Sequence, residues 1–158
     1  MLFRSWGGLG FDQISAGAGD DIALGYGSTD IIFGDDGNDT IDGGLNRDTV
    51  MGGDDGDLLL GGDHEDAIYG DAGADTIHAG DGSDKVWGGS GNDLIFARAI
   101  ISFTAAPAQN DTLFGGDGDD LLSGGLFFLA FRDRVRRSAL QLKHQRDQIA
   151  RARATRRD

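Results

Sequence analysis

Every ninth residue from Asp12 onward is an aspartate, with one failure in thirteen. Cut from Gly7, the chain reads GGLGFDQIS, AGAGDDIAL, GYGSTDIIF, GDDGNDTID, GGLNRDTVM, GGDDGDLLL, GGDHEDAIY, GDAGADTIH, AGDGSDKVW, GGSGNDLIF, ARAIISFTA, APAQNDTLF and GGDGDDLLS, without insertion or deletion over residues 7–123. The sixth position holds Asp12, Asp21, Asp30, Asp39, Asp48, Asp57, Asp66, Asp75, Asp84, Asp93, Asp111 and Asp120; Ser102 alone breaks the series. The eighth is Ile, Leu or Val except at Ala23 and Thr104. A unit this short cannot bury its own apolar face, so the repeats must stack to make a core.

Each position has a physical reading. Gly at positions one, two and four suits backbone conformations closed to other residues and lets carbonyls converge on a ligand. Where position four departs from Gly, Asn46, Asp55 and His64 are types that tolerate positive φ, whereas Ser28, Ile100 and Gln109 fit less well. Positions seven to nine read as a short strand, whose alternation sends the aliphatic eighth residue to one face and its neighbours to the other. Stacking also brings the aspartates into rows, which need positive charge between them. Carboxylates plus carbonyls, with no Cys and only three His, select Ca²⁺ over zinc or copper.

The windows resemble the repeats-in-toxin (RTX) nonapeptide GGxGxDxUx, with GGLGFDQIS, GGSGNDLIF and GGDGDDLLS as full-strength copies. The resemblance implies an all-β chain: a right-handed parallel β-roll in which two nonapeptides make one 18-residue turn. It implies that the GGxGxD turns bind several Ca²⁺ ions. The twelve sixth-position aspartates would serve as ligands, with loop carbonyls including those of Gly17, Gly19, Asp35, Gly37, Gly53, Asp55, Asp71, Gly73, Gly80, Gly82, Gly89, Gly91, Gly116 and Gly118. It further implies a secreted bacterial protein exported by the type I route, largely disordered without Ca²⁺ and folded outside the cell. No N-terminal signal peptide is expected, because MLFRSW is too short for an apolar core before Gly7.

With two windows per turn, alternate loops line opposite edges. The even edge, starting at 16, 34, 52, 70, 88 and 106, keeps closer to the motif than the odd edge, starting at 7, 25, 43, 61, 79, 97 and 115. Stronger Ca²⁺ sites are therefore expected along the even edge. Phe33, Met51, Tyr69 and Trp87 recur every 18 residues at position nine of the odd windows and should form one outward ladder. It is either ordinary surface or a patch on which the tail or a further domain docks. Windows 97–105 and 106–114 keep the phase but lose the glycines, and read as a degenerate turn with weak or absent Ca²⁺ binding; a linker or a boundary between two repeat blocks is the alternative.

Charge divides the chain near Gly125. Residues 1–125 carry a net −20 and residues 126–158 a net +7. The expected organisation is a lead-in over 1–6, the roll over 7–125 with its weakened stretch at 97–110, and a basic tail over 126–158. Phe128, Phe131, Val135, Ala139, Leu142 and Ile149 recur near helical spacing, so a C-terminal amphipathic α-helix is expected there. It could cap the last turn, with contact to a membrane surface as a lesser reading. Nucleic acid is an unsuitable partner for so acidic a roll. The tail departs from RTX export signals, which are usually poor in basic residues.

Nothing supports catalysis. His64, Glu65 and Asp66 stand side by side, but no HExxH follows, since position 68 is Ile. No Ser sits in a GxSxG frame. Asp66 is the repeat's sixth residue, Glu65 fills a variable, solvated position, and His64 replaces the third Gly. An outward Thr ladder of the kind an ice-binding solenoid needs is also missing, because Thr40, Thr49, Thr76 and Thr112 are scattered. The expected function is a Ca²⁺-binding structural module, not an enzyme. The alternative is the C-terminal repeat portion of a larger RTX enzyme, toxin or adhesin.

Overall fold

A computed structural model describes residues 4–97 and 111–123. The expected C-terminal helix and its docking onto the roll fall outside the described residues. Six-residue strands follow one another with only short turns between: β1 (Arg4–Leu9), β2 (Gln13–Ala18), β3 (Ile22–Gly27), β4 (Ile31–Asp36), β5 (Thr40–Leu45), β6 (Thr49–Asp54), β7 (Leu58–Asp63), β8 (Ala67–Ala72), β9 (Thr76–Asp81) and β10 (Lys85–Ser90). The last three are β11 (Leu94–Phe96), β12 (Thr112–Asp117) and β13 (Leu121–Ser123).

Odd-numbered strands form a seven-stranded sheet in order, and even-numbered strands a six-stranded one. All pairing is parallel, and through β10 each residue faces the one 18 further on, as Val50 faces Ile68 and Ile41 faces Leu59. The described residues thus form the expected parallel β-solenoid, two nonapeptides per turn.

Strands are longer than positions seven to nine. They run on through positions one to three of the next window, so the glycine pairs lie within strands. Parallel pairing to identical backbones on both sides holds residues whose own propensity is poor. The first rung also starts early: Arg4, Ser5 and Trp6 pair with Ile22, Ala23 and Leu24, within the stretch set apart above as a lead-in.

Alternation explains the core. Position eight points inward, and so, by the same parity, do position six before it and position one after it. Ile32, Ile41, Val50, Leu59, Ile68, Ile77, Val86, Ile95 and Leu113 are fully buried in one continuous row between the sheets. Ala79 and Ala97, at position one, complete it.

The aromatic ladder forms on the six-stranded sheet and is longer than expected. Phe33 faces Met51, Met51 faces Tyr69, Tyr69 faces Trp87, and Trp87 faces Phe114. The rings of Tyr69 and Trp87 stack with centroids 4.6 Å apart and planes 2° from parallel, and Trp87 stacks on Phe114 at 5.9 Å. Stacked rings cover one another's faces and present their edges to the surface.

One expectation about the two edges is corrected, while the weakened turn expected over 97–110 falls at 98–110 outside the described residues. Lys85 pairs with Thr112, and Leu94 with Leu121, in both cases 27 residues on. The register between described strands therefore jumps by one nonapeptide here. Asp111 accordingly joins the odd edge and Asp120 the even edge, the reverse of the assignment that an unbroken alternation gives. In the sequence, APAQND keeps the aspartate that precedes β12, whereas ARAIIS has none.

Candidate metal centre

Two rows of aspartate run along the edges of the roll, one per edge. Asp12, Asp30, Asp48, Asp66, Asp84 and Asp111 form the first. Asp21, Asp39, Asp57, Asp75, Asp93 and Asp120 form the second. Within a row each backbone N–H donates to Oδ1 of the next aspartate, at 2.7–3.1 Å. The following residue's N–H donates forward-to-back in turn, as from Ile31 to the carbonyl of Asp12 at 3.0 Å and from Ala67 to that of Asp48 at 3.0 Å.

In nine of these carboxylates one oxygen is left over. The Oδ2 atoms of Asp12, Asp30, Asp39, Asp48, Asp57, Asp66, Asp75, Asp84 and Asp93 are buried and accept no hydrogen bond. Asp30, Asp48, Asp75 and Asp84 are at most 1% exposed. Burying a charged oxygen without a partner is costly, and only a proton or a cation relieves it. Burial accordingly raises Asp30, Asp39 and Asp93, and pushes Asp48 and Asp75 up to about 6, Asp57 and Asp84 to about 7, and Asp66 to about 8. Like charges in the same row push the same way, while the backbone hydrogen bond opposes them.

The glycine at position one is shaped by this oxygen. A Cβ on Gly43 would lie 2.9 Å from Oδ2 of Asp48, and one on Gly61 2.8 Å from Oδ2 of Asp66. On the even edge the overlap is closer still, at Gly34, Gly52, Gly70 and Gly88. The carbonyls of positions two and four project toward the next rung: a Cβ on Gly62 would overlap the carbonyl of Gly44, and one on Gly91 that of Gly73.

Position four behaves as its residue types suggest. Asn46, Asp55 and His64 adopt φ of 79°, 74° and 87°, and Ser28, expected to fit less well, joins them at 89°. Tyr26, Asp35 and Asp71 hold position two at φ near 70°, which an aromatic residue rarely does and which gave no signal in the sequence.

The expected ligands are thus brought together by edge, not in one cluster. Gly17, Gly19, Asp35, Gly37, Gly53, Asp55, Asp71, Gly73, Gly89 and Gly91 lie on the even edge. Gly116 and Gly118 stack there too, on Gly89 and Gly91, after the shift in register. Gly80 and Gly82 lie on the odd edge, on Gly62 and His64. Among the described residues no three His, Asp or Glu side chains gather at a point. A cation here must therefore be held by backbone carbonyls as well as carboxylates. That is the hard-oxygen set suited to Ca²⁺, and the orphaned Oδ2 atoms and missing Cβ atoms fit it.

The trio at 64–66 separates as its parity requires. Asp66 is buried in the row, whereas Glu65 is exposed and, instead of being merely solvated, pairs with Arg47 one rung back. The His64 ring turns to its own loop, with Nδ1 2.8 Å from the Asp63 carbonyl oxygen.

The model of the RTX calcium-binding nonapeptide repeat matches residues 6–41, 24–59, 42–77, 60–95 and 108–127. The stretch it leaves between 95 and 108 contains Ser102, where the repeat loses its aspartate. No curated protein and no solved structure matches the chain. Repeat, solenoid and family match agree: the chain belongs to the RTX calcium-binding nonapeptide repeat family.

Proposed function

We propose that this chain is a Ca²⁺-binding structural module in which the two aspartate rows and the loop carbonyls beside them hold several ions. The observation that carries this reading is the run of buried Oδ2 atoms with no hydrogen-bond partner. The ligands would be the sixth-position aspartates of both edges with the position-two and position-four carbonyls. The ions would neutralise the rows and supply folding free energy, so the roll would form as they bind. A secreted setting, where Ca²⁺ is abundant, suits such a module, as the family's character suggests.

The structural role would be to hold neighbouring sequence or a neighbouring domain once folded. The organisation into a roll over 7–125 and a basic tail over 126–158 belongs to the same proposal. Isothermal titration with Ca²⁺, repeated with Mg²⁺, tests it. Several Ca²⁺ should bind with Mg²⁺ a weak competitor, because Mg²⁺ sheds water reluctantly and demands a regular octahedron. Equal binding of the two, or none, would contradict it.

A further inference from the structure

A second ladder runs beside the aspartates on the even edge, one residue earlier and in the opposite sense. The N–H of Asn38 donates to Oδ1 of Asp20 at 3.0 Å, and its side-chain amide donates to the same oxygen at 3.3 Å. The N–H of Gly56 donates to Oδ1 of Asn38 at 3.3 Å, and that of Asp119 to Oδ1 of Asn92 at 2.8 Å. All are fifth-position residues. In the aspartate row the N–H points forward to the next rung; here it points back to the previous one.

A peptide unit is planar and trans, so its N–H and C=O point opposite ways. An N–H held backward at position five therefore aims the position-four carbonyl forward. The structure shows that aim: the carbonyl of Asp55 projects at Gly73, where a Cβ would overlap it. We propose that Asp20, Asn38 and Asn92 are positioning residues that fix the carbonyls of Gly37, Asp55 and Gly118 for Ca²⁺. The inference rests on the Ca²⁺ reading above.

The ladder is discontinuous, which supplies internal controls. Gly56 and Ala74 have no side-chain acceptor, so the carbonyls of Gly73 and Gly91 are aimed without this help. On the odd edge the fifth positions include Phe11 and Arg47, which have no acceptor either, and Arg47 pairs with the Glu65 side chain instead.

The test uses the full chain, labelled with ¹³C and ¹⁵N. Ca²⁺ titration midpoints and carbonyl ¹³C shifts are compared for wild type, Asn38→Leu, Asn92→Leu and Asn92→Asp, with Thr29→Leu as the odd-edge control. Asn38→Leu should raise the midpoint about three- to ten-fold, the weight of one hydrogen bond. It should also shrink the Ca²⁺-induced shift of the Asp55 carbonyl while sparing that of Gly73. Asn92→Leu should act likewise on Gly118. Asn92→Asp, which keeps the acceptor and has Ala74 one rung back, not a carboxylate, should stay within about two-fold of wild type. Leucine variants with wild-type midpoints would overturn the inference. So would a raised midpoint with an unaltered Asp55 shift, which marks a stability effect alone. A wild-type chain that binds no Ca²⁺ overturns this inference and the proposed function together.

Discussion

At the residue scale the roll depends on where a Cβ has room. Gly91 has φ +130°, and a side chain there would overlap the carbonyl of Gly73; Gly27 has open space and needs no positive φ. Gly91→Ala should therefore cost about 1–3 kcal/mol, the range for forced overpacking, and Gly27→Ala close to nothing. Thermal melts in saturating Ca²⁺ check the pair, and equal melting temperatures would count against the geometry. The carboxylates set the pH dependence. Burial raises Asp48, Asp57, Asp66, Asp75 and Asp84 from 3.8 to between about 6 and about 8. A carboxyl whose folded value is raised favours folding fully below its unfolded value, and loses that contribution as pH climbs through the folded one. Without metal, acidification from pH 8 toward pH 5 should therefore promote the roll. Ca²⁺ competes with those protons only in the folded roll; the unfolded chain, whose carboxyls keep the ordinary value of about 3.9, has almost none to give at pH 7. Binding coupled to folding should therefore release few protons near pH 7. Titration calorimetry at pH 7 in two buffers of different ionisation enthalpy measures that release; a strongly buffer-dependent heat would mean that a protonated roll was already folded before Ca²⁺ was added.

At the element scale, one face of the roll is a stack of aromatic rings and each edge is a row of charge. Trp87 lies between Tyr69 and Phe114, whereas Trp6 is 62% exposed. Tyr69→Ala should cost about 0.5–1.5 kcal/mol beyond its lost burial, and should change the emission of Trp87 in the Ca²⁺-bound state. Fluorescence-detected unfolding reads both. The edges should also differ. With Asp120 and its GGDGDD loop added to the even edge, that edge holds most of the loops closest to the motif. Asp57→Ala should lower Ca²⁺ affinity more than Asp48→Ala does, by titration of each variant. Equal losses would mean that loop sequence does not grade the sites.

At the scale of the whole molecule, much of the architecture is legible in the period. Asp at position six and an aliphatic residue at position eight share parity, so one alternation accounts for both the buried carboxylates and the core. Two features are not legible, each for a physical reason. Strand length is hidden because Gly-Gly pairs have poor strand propensity and are held by pairing on both sides, which single windows do not display. The jump in register is hidden because ARAIISFTA and APAQNDTLF keep the phase of the text; it is set by the pairing of Lys85–Trp87 with Thr112–Phe114, not by spacing. In the site, the aspartates stand out by position, while the fifth-position ladder is masked by the variety of residues there.

The central claim is that cations replace missing hydrogen bonds along two buried carboxylate rows, so that binding and folding are one event. Far-UV circular dichroism of the full chain during Ca²⁺ titration at neutral pH, followed by EDTA, tests this most directly. The account predicts little β signal without Ca²⁺, a cooperative rise to a β-rich spectrum as Ca²⁺ is added, and its loss on chelation. A chain equally β-rich before Ca²⁺ and after EDTA would contradict it.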